Sequence, residues 1–329
     1  MATEVRSPAR PATSSSTSRG SGSPVGRPRR RGWLTRTLFL LPAFALFVGL
    51  VLLPMALGVY TSLFKWNGFG GLPTNFVGLD NFTRLLDDEV FLGDLKRGAI
   101  LVVLSVVVQL PFALGLAMLL NQRFRGRRVY RLLFFAPYVL SEVITGVLFG
   151  MVFSPNGGLV NNIAKALGFG DTAQTWLAEP STVLYALFFV ISWKYFGFHM
   201  MLYLAGRQAI PEELIEAARV DGAGSWAVFR YVTLPLLGPT IRISVFLSII
   251  GSIQLFDMVW VLTGGGPIHG SETMAVTMFQ YGFRRYEVGY ASAISVAMFL
   301  VSLVFALFYQ RFVLRRDIEG AVTTMGDKR

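Results

Sequence analysis

Cysteine is absent from this 329-residue chain. That excludes a disulfide framework, a thiolate metal site and a cysteine nucleophile, so every loop holds its shape without covalent staples. Histidine is nearly absent as well: only His199 and His269 occur, and neither a His-Glu-x-x-His nor a Gly-x-Ser-x-Gly pattern is present. The usual machinery of metalloproteases and serine hydrolases is missing. None of the five lysines follows a glycine and precedes Ser or Thr, as a phosphate-cradling loop demands, so an ATP-driven process would need its motor on another chain. The expectation is a protein that does no bond chemistry and carries no cofactor or metal.

Charge is also scarce, at 15% of residues, while 53% are hydrophobic and the mean hydropathy is +0.54. A helix needs roughly 20 apolar residues to cross a hydrocarbon core about 30 Å thick. Six stretches qualify, over 38–63, 98–120, 130–153, 182–205, 239–263 and 288–312. The fold class expected is therefore all-α, a polytopic membrane protein with six transmembrane helices.

A formal charge of +11 raises the question of nucleic acid, which the placement of the charges answers. With the amino terminus inside, cytoplasmic segments hold 22 of the 30 Lys and Arg: eight in the leading tail, five at 121–131, four around the loop near 216, and five in the final tail. The outer loops hold seven, and Lys194 lies within a span. This asymmetry follows the positive-inside rule and puts both termini in the cytoplasm, the basicity serving orientation and contact with anionic lipid. Residues 1–37, rich in Ser, Pro, Gly and Arg, read as a disordered basic tail, since residues 1–32 bury too little surface to offset their ordering entropy. Residues 313–329 read as a second cytoplasmic tail, and 38–312 as the transmembrane domain.

Between the fourth and fifth spans lies a polar helix-turn-helix. Glu216-Ala217-Ala218 is followed by three residues, Gly222, nine residues, Val232, one residue, and Leu234-Pro235. Pro211 suits a first helical position, Glu212, Glu213 and Glu216 complement the helix dipole, and Gly222 supplies a left-handed stop. Ser225 is expected to cap a second helix that Pro235 ends. The small alanines permit close approach of another backbone. This spacing closely resembles the Glu-Ala-Ala loop of binding-protein-dependent ABC importer permeases, with Val232 in place of isoleucine.

The resemblance covers roughly 76–312. It implies a type I ABC importer permease fold with its core at about 95–312 and a loop at 206–238 that couples transport to a separate ATPase through Glu216, Ala217, Ala218, Gly222, Leu234 and Pro235. It also implies the partners: a second permease subunit, a dimer of ATP-binding subunits and an extracytoplasmic sugar-binding protein, working by alternating access in the cell membrane. The run Phe76-Val77-Gly78-Leu79-Asp80-Asn81-Phe82 and the turn Thr263-Gly264-Gly265-Gly266-Pro267 resemble the carbohydrate-transporting subset of the family. A polyol or glycerol phosphate is the alternative solute. A self-sufficient secondary transporter is the alternative mechanism, against which stands the lack of any convincing internal repeat.

Away from the ends of the expected spans, three charged residues fall inside them: Glu142, Lys194 and Asp257. An ionised group at the bilayer centre costs about 2.5–3.5 kcal/mol on insertion scales, so each should face protein or water. Trp193 and Tyr195 flank Lys194, and Gln254 lies one helical turn from Asp257 on the same face. These five residues are the sequence candidates for a sugar path, with an interhelical ion pair as the competing role for the charges. Pro42 and Pro54 are expected to kink the first span, and Asp80 to cap an amphipathic segment carrying Phe82, Leu85, Leu86, Val90 and Phe91.

Overall fold

The computed structural model describes residues 31–122, 124–168 and 175–314, so most of both expected tails lies outside the described residues. The chain divides into two units, Met1–Pro54 and Met55–Arg329. In the first, α1 (Arg31–Phe47) contains Pro42 and leads into a π-turn at Val48–Leu52, where the Leu53 amide bonds back to the Val48 carbonyl. The helix thus begins before the boundary expected at residue 38.

Three of the π-turns share a cause. Val48–Leu52 ends two residues before Pro54, Ser105–Gln109 two before Pro111, and Phe229–Thr233 two before Pro235. A proline lacks the amide donor, and its ring collides with the carbonyl four residues back. Widening the preceding turn by one residue moves that carbonyl aside, so the helix passes through the proline instead of stopping.

In the second unit, after α2 (Leu53–Ser62), a loop pinned by the bridge between Phe64 and Phe76 leads to α3 (Asp80–Asp87), α4 (Glu89–Leu104) and α5 (Leu110–Asn121). Asp80 is the first residue of α3 and makes no capping bond; the cap is Asp88, whose carboxylate accepts from the amides of Val90 and Phe91 to start α4. Burial alone would raise the Asp88 carboxyl, but hydrogen bonds from Tyr290, the Phe91 and Val90 amides, and Tyr281 hold it below the usual carboxylate range. The expected amphipathic segment is thus two helices with a corner at Asp88. Leu85 and Phe91 enter a core with Tyr290, Ala293 and Ile294, while Leu86 is exposed.

The remaining elements are α6 (Arg127–Val139), α7 (Glu142–Val152), α8 (Leu159–Ala166), α9 (Val183–Gln208), α10 (Glu212–Val220), α11 (Ser225–Val228), α12 (Leu234–Leu236), α13 (Gly238–Ile253), α14 (Asp257–Leu262), α15 (Met274–Phe279) and α16 (Val288–Tyr309). Among the described residues, four segments are long and apolar enough to cross a membrane unaided: Arg36–Ser62, Glu89–Asn121, Val183–Gln208 and Val288–Leu314. Counting each of two bent pairs as one span gives six: α6 with α7, turned by 98°, and the segment Ser225–Leu236 with α13, turned by 66°.

The second span starts nine residues earlier than its hydropathy suggests, because Asp94 is buried there rather than looped out. Its carboxylate takes hydrogen bonds from Arg97 at 2.6 Å and from Thr277 at 2.5 Å, and Arg97 also donates to the Glu272 carbonyl at 2.8 Å. The helix α9 lies at the centre of the packing. It lines one core with α5 through Ala113, Ala117, Met200 and Tyr203, and another with α7 and α14 through Phe149, Leu187, Val190 and Val259. Gly197 allows α6 to approach so closely that a β-carbon there would stand 2.0 Å from the Phe134 carbonyl oxygen.

Candidate functional site

The loop between α9 and α13 folds into α10, α11 and α12. Pro211 precedes α10 with an extended ψ of 130°, and Asp221 and Gly222 end that helix, Gly222 at φ +86°. A β-carbon at Gly222 would meet nothing within 4 Å, so backbone conformation alone selects glycine. Ser225 is the first residue of α11 and does not cap it; Gly224 holds the cap position without a side-chain bond. Nor does Pro235 end the helix, because the π-turn before it lets the chain run on to Leu237.

Ile215 and Val228 bury themselves with Ile210 and Leu237, and Leu114, Met118 and Ile241 pack against this cluster. The element is thereby fastened to the ends of α5 and α13. Its other face is open. Glu216 and Ala217 are exposed, as are Val220, Trp226 and Tyr231, which are 87%, 72% and 77% accessible. Ala218 and Leu234 are half-buried and Pro235 is exposed. Large apolar side chains thus stand exposed on an element whose other face is anchored in the core.

Within the helices lies a cavity of about 170 Å³ lined by residues of α4, α5's preceding π-turn, α6, α9 and α13. Its polar groups are Ser105, Gln109, Tyr138, Tyr195, His199, Ser248 and Ser252, set among Leu101, Phe198, Leu247 and Leu255. Ser105 donates to Gln109 and lies 2.7 Å from the Ser248 hydroxyl; His199 is 2.8 Å from the Ser244 hydroxyl. Hydroxyls, an amide and aromatic faces therefore share one space.

Of the five path candidates, Tyr195 lines this cavity. Asp257 is exposed at the start of α14, in no ion pair among the described residues, and within electrostatic reach of the Tyr195 hydroxyl. Gln254 is also exposed, but it does not share a helical face with Asp257, because α13 ends at Ile253 and a break at 254–256 separates them. The break is supported by Thr273, whose hydroxyl donates to the freed Leu255 carbonyl at 2.7 Å. Trp193 packs edge-on to Phe149 at 5.0 Å, away from the cavity. Lys194 is buried, 3.5 Å from Glu142, so those two charges form an interhelical pair.

Sequence reasoning missed Ser105, Gln109, Ser248 and Ser252, because a serine in an apolar run carries no sign of which way it faces. It also missed Asp94, whose nearness to other charges made it look like loop.

A family model described as the inner membrane component of binding-protein-dependent transport systems matches residues 109–318. The chain belongs to that family. The probable ABC transporter permease YurN of Bacillus subtilis is 34% identical over 84% of this chain and 94% of its own length. The diacetylchitobiose uptake system permease NgcF of Streptomyces coelicolor is 34% identical over 85% of this chain and 84% of its own. A permease chain from the crystal structure of a bacterial alginate ABC transporter, in complex with an alginate pentasaccharide-bound periplasmic protein, superposes with a TM-score of 0.75 at 25% identity, covering 87% of this permease and 96% of that chain. The all-α, multi-pass permease fold is thereby established. The matched region includes the whole of the α10–α12 element and the cavity-lining residues Gln109, Tyr138 and those of α9 and α13, while Leu101 and Ser105 precede it.

Proposed function

We propose that this permease subunit forms half of the sugar path of an ABC importer and that α10–α12 transmits the stroke of a separate ATP-binding subunit dimer to its spans. The observation that carries the reading is the anchored, apolar, exposed surface around Glu216-Ala217-Ala218, which has no covering element within the described chain. Gly222 and the Leu234-Pro235 end keep its two helices in fixed relation. The cavity supports the choice of solute: aromatic faces at Tyr138 and Tyr195 suit the apolar face of a sugar ring, while Gln109 and the serines suit its hydroxyls. Asp257 and Gln254 extend this lining at the helix break, with Trp193 and Lys194 behind it. The relatives named for diacetylchitobiose and alginate support a saccharide as the solute class.

The same reading supplies the partners: a second permease subunit, the ATPase dimer and an extracytoplasmic sugar-binding protein. Co-purification tests it directly. A tagged copy of the chain, extracted in mild detergent from cells expressing its neighbouring transport genes, is expected to bring down an ATP-hydrolysing subunit in stable stoichiometry. A self-sufficient transporter would purify alone and still move sugar into vesicles.

The basic-residue asymmetry further supports cytoplasmic termini, with 121–131 and 206–238 on the same side. In this cysteine-free chain, Ser225→Cys and Thr74→Cys each put one thiol at an exposed position. An impermeant maleimide added to intact cells is expected to label Thr74→Cys and leave Ser225→Cys untouched until the membrane is opened. The opposite pattern reverses the orientation.

A further inference from the structure

The 98° break in the third span leaves backbone groups exposed where no water is at hand to satisfy them. Leu140 and Ser141 are extended, with ψ of 145° at both, so α6 ends and α7 begins across two residues. One side chain from α9 serves both ends of this gap. The Lys194 ammonium donates to the Leu140 carbonyl and lies 3.5 Å from the Glu142 carboxylate, the first residue of α7. Its side chain is 3% exposed. The next residue, Tyr195, donates its hydroxyl to the same Glu142 oxygen at 2.6 Å. Two residues before the break, Tyr138 stacks on Phe198 with ring centroids 5.0 Å apart. Tyr138, Tyr195 and Phe198 all line the cavity, whereas Lys194 does not.

We propose that Lys194 is a positioning residue: by bridging the Leu140 carbonyl and Glu142 it holds the third span in its broken form, and that form sets where the Tyr138 and Tyr195 wall of the cavity stands. This rests on the cavity's being the sugar path, but the geometric claim is narrower and is tested apart from transport. Removing the ammonium leaves the Leu140 carbonyl without its donor and Glu142 with the Tyr195 hydroxyl alone, and straightening the span returns that carbonyl to a helical partner. A straighter third span carries Tyr138 away from Phe198 and opens the cavity.

The test uses the assembled transport complex in nanodiscs, with Ser252→Cys as the only thiol in this chain; Ser252 lies on α13, across the cavity from the tyrosines. The readout is the rate of its modification by a small methanethiosulfonate, with and without nucleotide. In Lys194→Met, loss of a charge-assisted bond predicts labelling faster by about tenfold or more without nucleotide. Glu142→Gln keeps an acceptor for Tyr195 and the Leu140 contact, and is expected to shift the rate in the same direction by less, so the inference stays testable where Lys194→Met fails to assemble. Lys194→Arg, which restores a cation, should return the rate toward the parent's. Parental labelling in every variant that assembles, Glu142→Gln included, overturns the inference and leaves the pair as packing. Failure of an ATPase to co-purify would instead strike at the importer reading, and the nucleotide-free labelling comparison can then be made on the full chain alone in nanodiscs.

Discussion

Replacing Gly222 with valine is expected to abolish uptake by the reconstituted complex while the chain still inserts and assembles. At φ +86° a β-branched residue is held in the left-handed region, at a cost of roughly 1–2 kcal/mol before its branching is counted. Nothing lies within 4 Å of the added β-carbon, so the strain is relieved by turning α10 against α11 and not by any local collision. Only Ile215 anchors α10 deeply, and the turn re-aims the exposed face of Glu216 and Ala217. ATP hydrolysis should persist at the basal rate and lose its stimulation by loaded binding protein. Asparagine tolerates left-handed backbone and should keep much of the parent's uptake. Parental transport by Gly222→Val would mean that the coupling assignment is mistaken.

The second large effect belongs to Gly197. Its β-carbon would stand 2.0 Å from the Phe134 carbonyl oxygen and 3.1 Å from the Phe135 α-carbon, backbone atoms that cannot swing aside as a side chain would. Gly197→Ala must therefore push α6 from α9, loosening Phe196 from its edge contact with Phe134. Overpacking of this kind costs about 1–3 kcal/mol, and the close helix approach that small residues allow in a bilayer is lost with it. The expected result is a lowered thermal midpoint and poor recovery as a monodisperse complex. Gly150→Ala in α7, where the added carbon meets nothing within 4 Å, is the matched control and should behave like the parent. Equal stability of the two variants would show that the α6–α9 contact is looser than described.

The sequence by itself determined the class of molecule and the place of the helix-turn-helix between its fourth and fifth spans. Apolar length is a one-dimensional property, so six stretches long enough for a bilayer could be counted without any contact being known. The Glu-Ala-Ala spacing is likewise local: a helix start, a glycine stop and a second helix follow from neighbouring residues, and α10, Gly222 and α11 appear where that reading puts them. Even the prolines were legible as disturbances. What they do was not, since a kink and a π-turn are equal in sequence and differ only in how neighbouring turns absorb the missing donor.

Tertiary structure decided everything that depends on which way a residue faces. Hydropathy averages over a window and is blind to a 98° break, so the third span looked continuous until Leu140 and Ser141 were seen extended beneath Lys194. Asp94 looked like loop because burial of a carboxylate is sensible only once Arg97 and Thr277 are beside it, and Thr277 is 183 residues away in the chain. Glu142 and Lys194, 52 positions apart, became a pair for the same reason: helix packing brings them to 3.5 Å, and no periodicity in either helix records the other's position. The cavity is the clearest case. Ser105, Gln109, Tyr195 and Ser248 come from three separate spans, and their convergence on one space is a property of the packing angles between helices, which local sequence does not encode.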